Sequence, residues 1–267
     1  MDDEIQQKVR DFQRNPNYEH RVVAFYDFLG WRSKIAEAGT DPEKIGRLRR
    51  MILRHTRSLG GQQQYAAPEV RFSSFSDNVV VSQPVSPTTV SHLLGTLGAF
   101  QLVSAADGFF VRGGVTVGWI HHDNTSVFGP ALNRAYELES TVADFPRIVV
   151  DQNVLDALGT LPFFMKTEDG ISFVNPFTTT FVRLLASLEK TTTKDVYASL
   201  GFPSGGNRRL DSVPSDQLLK FALDGVKPQL RAPLEDKEWS KVAWIHDRIA
   251  SQLGLPLARS YPRVRPG

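Results

Sequence analysis

The 267 residues contain no cysteine, which excludes disulfides, thiolate zinc sites and a cysteine nucleophile; any metal must be held by oxygen or imidazole. A surplus of charge is also missing: 31 Lys and Arg stand against 29 Asp and Glu, and a net charge of +2 speaks against a dedicated nucleic-acid binder. No apolar run approaches the ~20 residues that span a bilayer. The opening stretch, MDDEIQQKVRDFQRNPNYEH, lacks the basic and then apolar regions of a secretory signal, so a cytoplasmic protein without membrane contact is expected. No P-loop, G-x-G-x-x-G fingerprint or G-x-S-x-G turn occurs.

What remains is an ordinary globular composition, 41% apolar and 22% charged, with a readable order of elements. RVVAFYDFLGW (21–31) reads as a buried strand running into Gly30, and a helix follows with Asp41 as N-cap and Pro42 at its first position. Two strands hinge near Asp77 and Asn78, followed by a helix that ends at Gly108 and a strand through FFVRGGVTVGWIHHD. Gly113 and Gly114 weaken that strand and imply a bulge or a close backbone approach. A helix begins at Pro130 with Ala131, Ala135 and Leu138 on one side, then come the strand PRIVVDQ and a short helix. The order predicts an α+β fold, a mostly antiparallel sheet with helices on one face. A hairpin turning at Glu168-Asp169-Gly170 and helices near 215–230 and 236–253 predict an extension over 161–267, packed on a first unit of 1–160.

Asp27 lies within the apolar strand end AFYDFLG, where a carboxylate is costly unless it is paired or holds a metal. Asp77 sits at the hairpin tip in FSDNVVVS; alone, such an Asp is more often a turn former. If strand and hairpin are neighbours, the two carboxylates converge at one end of the sheet. Such hard oxygen ligands suit Mg²⁺ or Mn²⁺ carrying a triphosphate. His121, His122 and Asp123 are a weaker metal candidate, because adjacent strand residues face opposite sides.

AFYDFLG, FSDNVVVS, FFVRGGVTVGWI and SVFGPALNRAYELES occur in the order and at roughly the spacing of the class III nucleotidyl cyclase homology domain, over about residues 20–150. The sequence most resembles the bacterial pyrimidine cyclases of the Pycsar anti-phage system. The resemblance implies that Asp27, the Phe28 carbonyl and Asp77 hold two Mn²⁺ or Mg²⁺ ions per site. It implies that backbone amides near Phe28, Leu29 and Gly30 cradle phosphates, that Arg112 reaches them, and that Asn133 orients the ribose. The reaction implied is attack of the ribose 3′-hydroxyl on the α-phosphate with loss of pyrophosphate, in a head-to-tail homodimer whose partner supplies Asn133.

Two departures matter. Purine-acting relatives carry a transition-state arginine four residues after that asparagine; here Glu137 stands there, and Arg134 is the neighbouring candidate. Adenine-reading relatives have a lysine and an aspartate where this chain has Ser73 and Ser126. Two hydroxyls cannot replace that charged pair, which disfavours adenine and points to a pyrimidine triphosphate, uracil before cytosine. The resemblance further implies a cyclic nucleotide read by a separate effector. A purine or diguanylate cyclase, or a nucleotide-binding module without turnover, are the alternatives.

Overall fold

Ten residues, EHRVVAFYDF, apolar without a break from Val22 to Tyr26, form strand β1 (Glu19–Phe28) inside one mixed sheet. The computed structural model describes residues 17–60, 70–192 and 215–264. The path is β1, α1 (Trp31–Ala38), α2 (Pro42–Gly60), β2 (Arg71–Phe75), β3 (Asn78–Pro84), α3 (Pro87–Ala106), β4 (Val111–His122), β5 (Val127–Phe128) and α4 (Pro130–Glu137). A π turn, Leu138–Val142, extends α4; then come β6 (Ile148–Val150), α5 (Gln152–Leu158), β7 (Met165–Glu168), β8 (Ile171–Val174), α6 (Thr179–Thr192), α7 (Ser215–Leu230) and α8 (Asp236–Leu253). The strand order is β2-β3-β1-β4-β6-β8-β7, with β5 beside β4. Among the described residues only β4 and β6 run parallel. The α+β expectation holds.

The strand period of two sorts β1 between two faces. Val22, Ala24, Tyr26 and Phe28 enter the main core under α3, while Val23 and Phe25 face the other way, towards Ala131 and Ala135 of α4. Helices therefore cover both faces, whereas one face was expected. An amphipathic stripe says that α4 buries Ala131, Ala135 and Leu138, but not on which side of the sheet. The glycine pair shows why α4 lies so close. A Cβ on Gly114 would meet the Ala135 carbonyl oxygen at 2.3 Å, and one on Gly113 would meet Tyr26 Cβ at 2.7 Å.

Local signals account for most boundaries. The Asp41 carboxylate accepts from the Glu43 amide at 2.9 Å ahead of α2. Ser86 and Thr89 form a capping box at α3 with Pro87 at its first position. Asp169 and Gly170 both take positive φ in the β7–β8 turn. The short helix α1, entered through left-handed Gly30 (φ 73°), is not predicted by the sequence pattern.

The boundary expected at residue 160 falls inside the sheet, since β8 pairs with β6, and Phe164, Val174 and Phe181 belong to the main core. A second core joins Leu102 and Phe110 to α7 and α8 through Leu219, Leu223, Ile245 and Ile249. A Cβ on Gly225 of α7 would lie 2.3 Å from the Ala105 carbonyl oxygen, so α7 meets the end of α3 at backbone contact. Among the described residues no helix is long and apolar enough to cross a membrane.

Candidate functional site

Asp27 is the last residue but one of β1, directly opposite Arg112 of β4. On its other side β1 pairs with β3 as far as Tyr26 and Val79. Continuing that register brings Asp77 opposite Phe28, diagonal to Asp27. The β2–β3 connection is the two-residue turn Ser76-Asp77, with Ser76 at φ 56°. The strand end and hairpin tip thus meet at one rim, as the sequence predicted.

Electrostatics bear out the proximity. Burial raises the Asp27 carboxyl above its usual pKa; Arg112 opposes this and the Asp77 charge reinforces it. Arg112 Nη2 lies 3.6 Å from Asp27 Oδ2 and also forms an ion pair with Glu139 of the π turn. Asp27 Oδ1 is buried and has no hydrogen-bond partner among the described residues. Glu139, 3% exposed, is pushed up to about 7 by burial and then by the Asp27 charge, so near neutral pH it can share its proton with Asp27. Glu139 was not singled out by the sequence. Its place on the site depends on the π turn, a feature often found at functional positions.

An open cleft of about 480 Å³ adjoins Asp77, lined also by Phe28, Gly30, Trp31, Arg32 and Ser76. The Leu29 amide donates to the Phe110 carbonyl at 2.9 Å and is not available to a ligand, which corrects one of the predicted phosphate-cradling amides. Gly30 remains. It opens α1, which no side chain caps, so the first amides of that helix are the donors offered to an anion.

Arg112 is not a free strand cation, being held between Asp27 and Glu139. Arg134 is engaged elsewhere. Its Nε and Nη2 donate to Asp151 at 2.9 and 3.0 Å, and Nη1 to Glu137 at 2.9 Å. These bonds raise its pKa further and tie α4 to the N-cap of α5, so Arg134 serves here as a clamp rather than as a free catalytic cation.

Ser73 lies on β2 and Ser126 in the turn before β5. Ser73 Oγ is 3.0 Å from His122 Nε2, and His122 Nδ1 is 2.9 Å from Ser82 Oγ. His122 is fully buried and lowered to about 4 by that burial and by Arg21 and Arg71. Ser126 belongs to the β4–β5 turn, where the Asp123 carboxylate accepts from its amide at 2.8 Å. Ser126 precedes Val127, the β5 residue paired with His122, ten positions along β4 from Arg112. Asn133 is exposed, two residues past sheet-facing Ala131 and so on the outer side of α4. His121 and Asp123 pair at 3.0 Å, apart from buried His122.

The carboxylates suit a hard divalent cation: two ionisable groups converge, and one offers a buried oxygen without a partner. No group of three or more metal-holding side chains occurs among the described residues, so substrate oxygens and water would complete the shell.

No family model matches the chain, and no curated protein matches it. Two solved structures are similar in part. One is the monomeric guanylyl cyclase domain of the RhoGC fusion protein from the aquatic fungus Blastocladiella emersonii, at 14% identity and a TM-score of 0.47, over 60% of this chain and 96% of that one. The other is a class III adenylyl cyclase-like ATP-binding protein from Pseudomonas aeruginosa, at 15% identity and a TM-score of 0.41, over 85% of this chain and 51% of that one, so only about half of that protein is matched. Likenesses this distant decide neither the fold nor the activity of the present chain.

Proposed function

We propose that the chain is a metal-dependent nucleotidyl cyclase that joins the 3′-hydroxyl of a pyrimidine ribonucleoside triphosphate to its α-phosphate and releases pyrophosphate. The observation that carries this reading is the meeting of Asp27 and Asp77 at the rim of the sheet, beside a cleft that also receives the uncapped start of α1. Mg²⁺ or Mn²⁺ held there, two per site as the resemblance implies, would neutralise negative charge on the phosphates and lower the proton affinity of the attacking hydroxyl.

The chain's own residues divide the remaining work. Asp27 Oδ1 and Asp77 hold the cations, with the Phe28 carbonyl beside them. The opening amides of α1 after Gly30 receive phosphate oxygens, and Arg112, restrained by Glu139, limits repulsion among the carboxylates. The outward position of Asn133 supports a homodimer in which a second copy brings it to Asp27. Ser73 and Ser126 stand where adenine-reading relatives carry charges, which supports a pyrimidine, uracil first. In this reading the cyclic product is a cytoplasmic anti-phage messenger detected by a separate effector.

The test is incubation with Mn²⁺ and each of the four ribonucleoside triphosphates, with products identified by mass. The account expects a cyclic pyrimidine monophosphate and pyrophosphate, and neither from Asp27→Asn. A second reading, a nucleotide-binding module without turnover, is favoured by the engagement of Arg134 with Asp151 and Glu137. It predicts stabilisation by nucleotide without pyrophosphate release.

A further inference from the structure

The C-terminal helix α8 ends up beside the candidate site. Val242, Ala243 and Ile245 pack in one cluster with Phe110 and, at its margin, Leu29. Those two residues directly follow Phe28 and precede Val111, and a backbone bond of 2.9 Å joins them. The same end of the sheet carries Asp27 and Arg112. The rotation of α8 is set by Trp244, stacked on Phe145 at 5.7 Å and 9° in the loop that leaves the π turn of Glu139. Lys241 is three residues before Trp244 and shares its side of the helix.

Lys241 is half-buried, yet it makes no hydrogen bond or ion pair among the described residues. Burial lowers its pKa, with Arg112 and Lys237 adding repulsion, while Asp144 and Asp27 partly oppose this. A partly desolvated ammonium that makes no ion pair and feels a nearby arginine is stabilised when an anion arrives. Asp144 and Asp27 attract it without forming an ion pair, and Asp27 already faces Arg112.

We propose that Lys241 is a phosphate-binding residue of this site, contributed by the C-terminal part of the same chain and directed at the polyphosphate of a nucleoside triphosphate. The inference rests on the cyclase reading above and adds to it a role for residues beyond 160. α8 is then part of the substrate site, and the unpartnered ammonium is the feature that a highly charged anion completes.

Calorimetric titration of the full chain with inorganic triphosphate, and separately with UTP, at fixed free Mn²⁺ tests this. K241A and K241Q are expected to weaken both ligands by about tenfold or more, the usual worth of a lost charge-assisted hydrogen bond. K241R should keep most of the affinity, and ligand-free melting should stay at the wild-type value. Equal binding by wild type and K241A overturns the lysine's role and leaves the cyclase reading intact. A loss of binding that only follows the fraction unfolded overturns it as well. A wild-type chain that takes up neither ligand overturns both.

Discussion

Asp27 and Arg112 face each other across β1 and β4 at 3.6 Å, while the same guanidinium is paired with Glu139. The arginine is shared between two carboxyls. Asp27 is therefore not locked by its cation, and its second oxygen makes no hydrogen bond among the described residues. A fully paired Asp27 would have no capacity left for a metal. A fully unpaired one, beside Asp77 and burial, would tend to protonate. The shared pairing lies between these limits and keeps a buried carboxylate usable.

Gly114→Ala should be among the most damaging single substitutions. Its methyl would lie 2.3 Å from the Ala135 carbonyl oxygen and 2.5 Å from Leu138 Cβ, both in or next to the α4 backbone, so the helix must move off the sheet. A loss of about 2–3 kcal/mol is expected from overpacking of this kind, read from denaturant melts. Because α4 also carries Asn133 and leads into Glu139, activity of the folded fraction should fall too.

Arg134→Ala separates a clamp from a catalytic arginine. The pair with Asp151 is bidentate but partly exposed, so a loss of about 1 kcal/mol in stability is expected. Turnover of the folded protein should fall less than about tenfold, against the 10²-fold or greater loss expected for an essential phosphate-stabilising group. Parallel melting and product assays read both.

Acid should act through His122. Its folded pKa is lowered to about 4 from an unfolded value near 6.5. Between those values the unfolded chain binds the proton first, so stability is lost as pH falls from about 6.5 to 4 and is constant above. The slope from this one proton approaches about 1.4 kcal/mol per pH unit. Melting of wild type and His122→Gln from pH 4 to 8 should show the slope reduced in the variant.

Shared sites make a separate prediction. Asp27→Asn and Asn133→Ala chains, each inactive, should recover activity on mixing. At equal amounts half of the dimers are hybrids with one intact site, so about a quarter of wild-type turnover is expected. Mixtures that stay inactive, while forming dimers, would place both residues in one subunit's site.

Much of this was legible in the residues themselves. Asp27 in an apolar strand end announces a carboxylate with a purpose, and Gly113-Gly114 announces the close approach that α4 makes. The β7–β8 turn is written in Asp169-Gly170. Other features depend on distant packing and leave no local trace. The stripe of α4 does not say which face it covers, and the eight residues of α1 are too few for a clear helical period. Sequence spacing also hides that Ser73 bonds to His122, because that contact joins β2 to the far end of β4. Glu139 and Lys241 reach the site only through a π turn and a helix docked from the far end of the chain.

The central claim is that Asp27 and Asp77 together grip a divalent cation. Mn²⁺ titration followed by electron paramagnetic resonance, with UTP present, tests it on wild type, Asp27→Asn and Asp77→Asn. The account predicts Mn²⁺ uptake with UTP by the wild type and at least about tenfold weaker uptake by either variant, with folding unchanged. Equal uptake by all three proteins would contradict it.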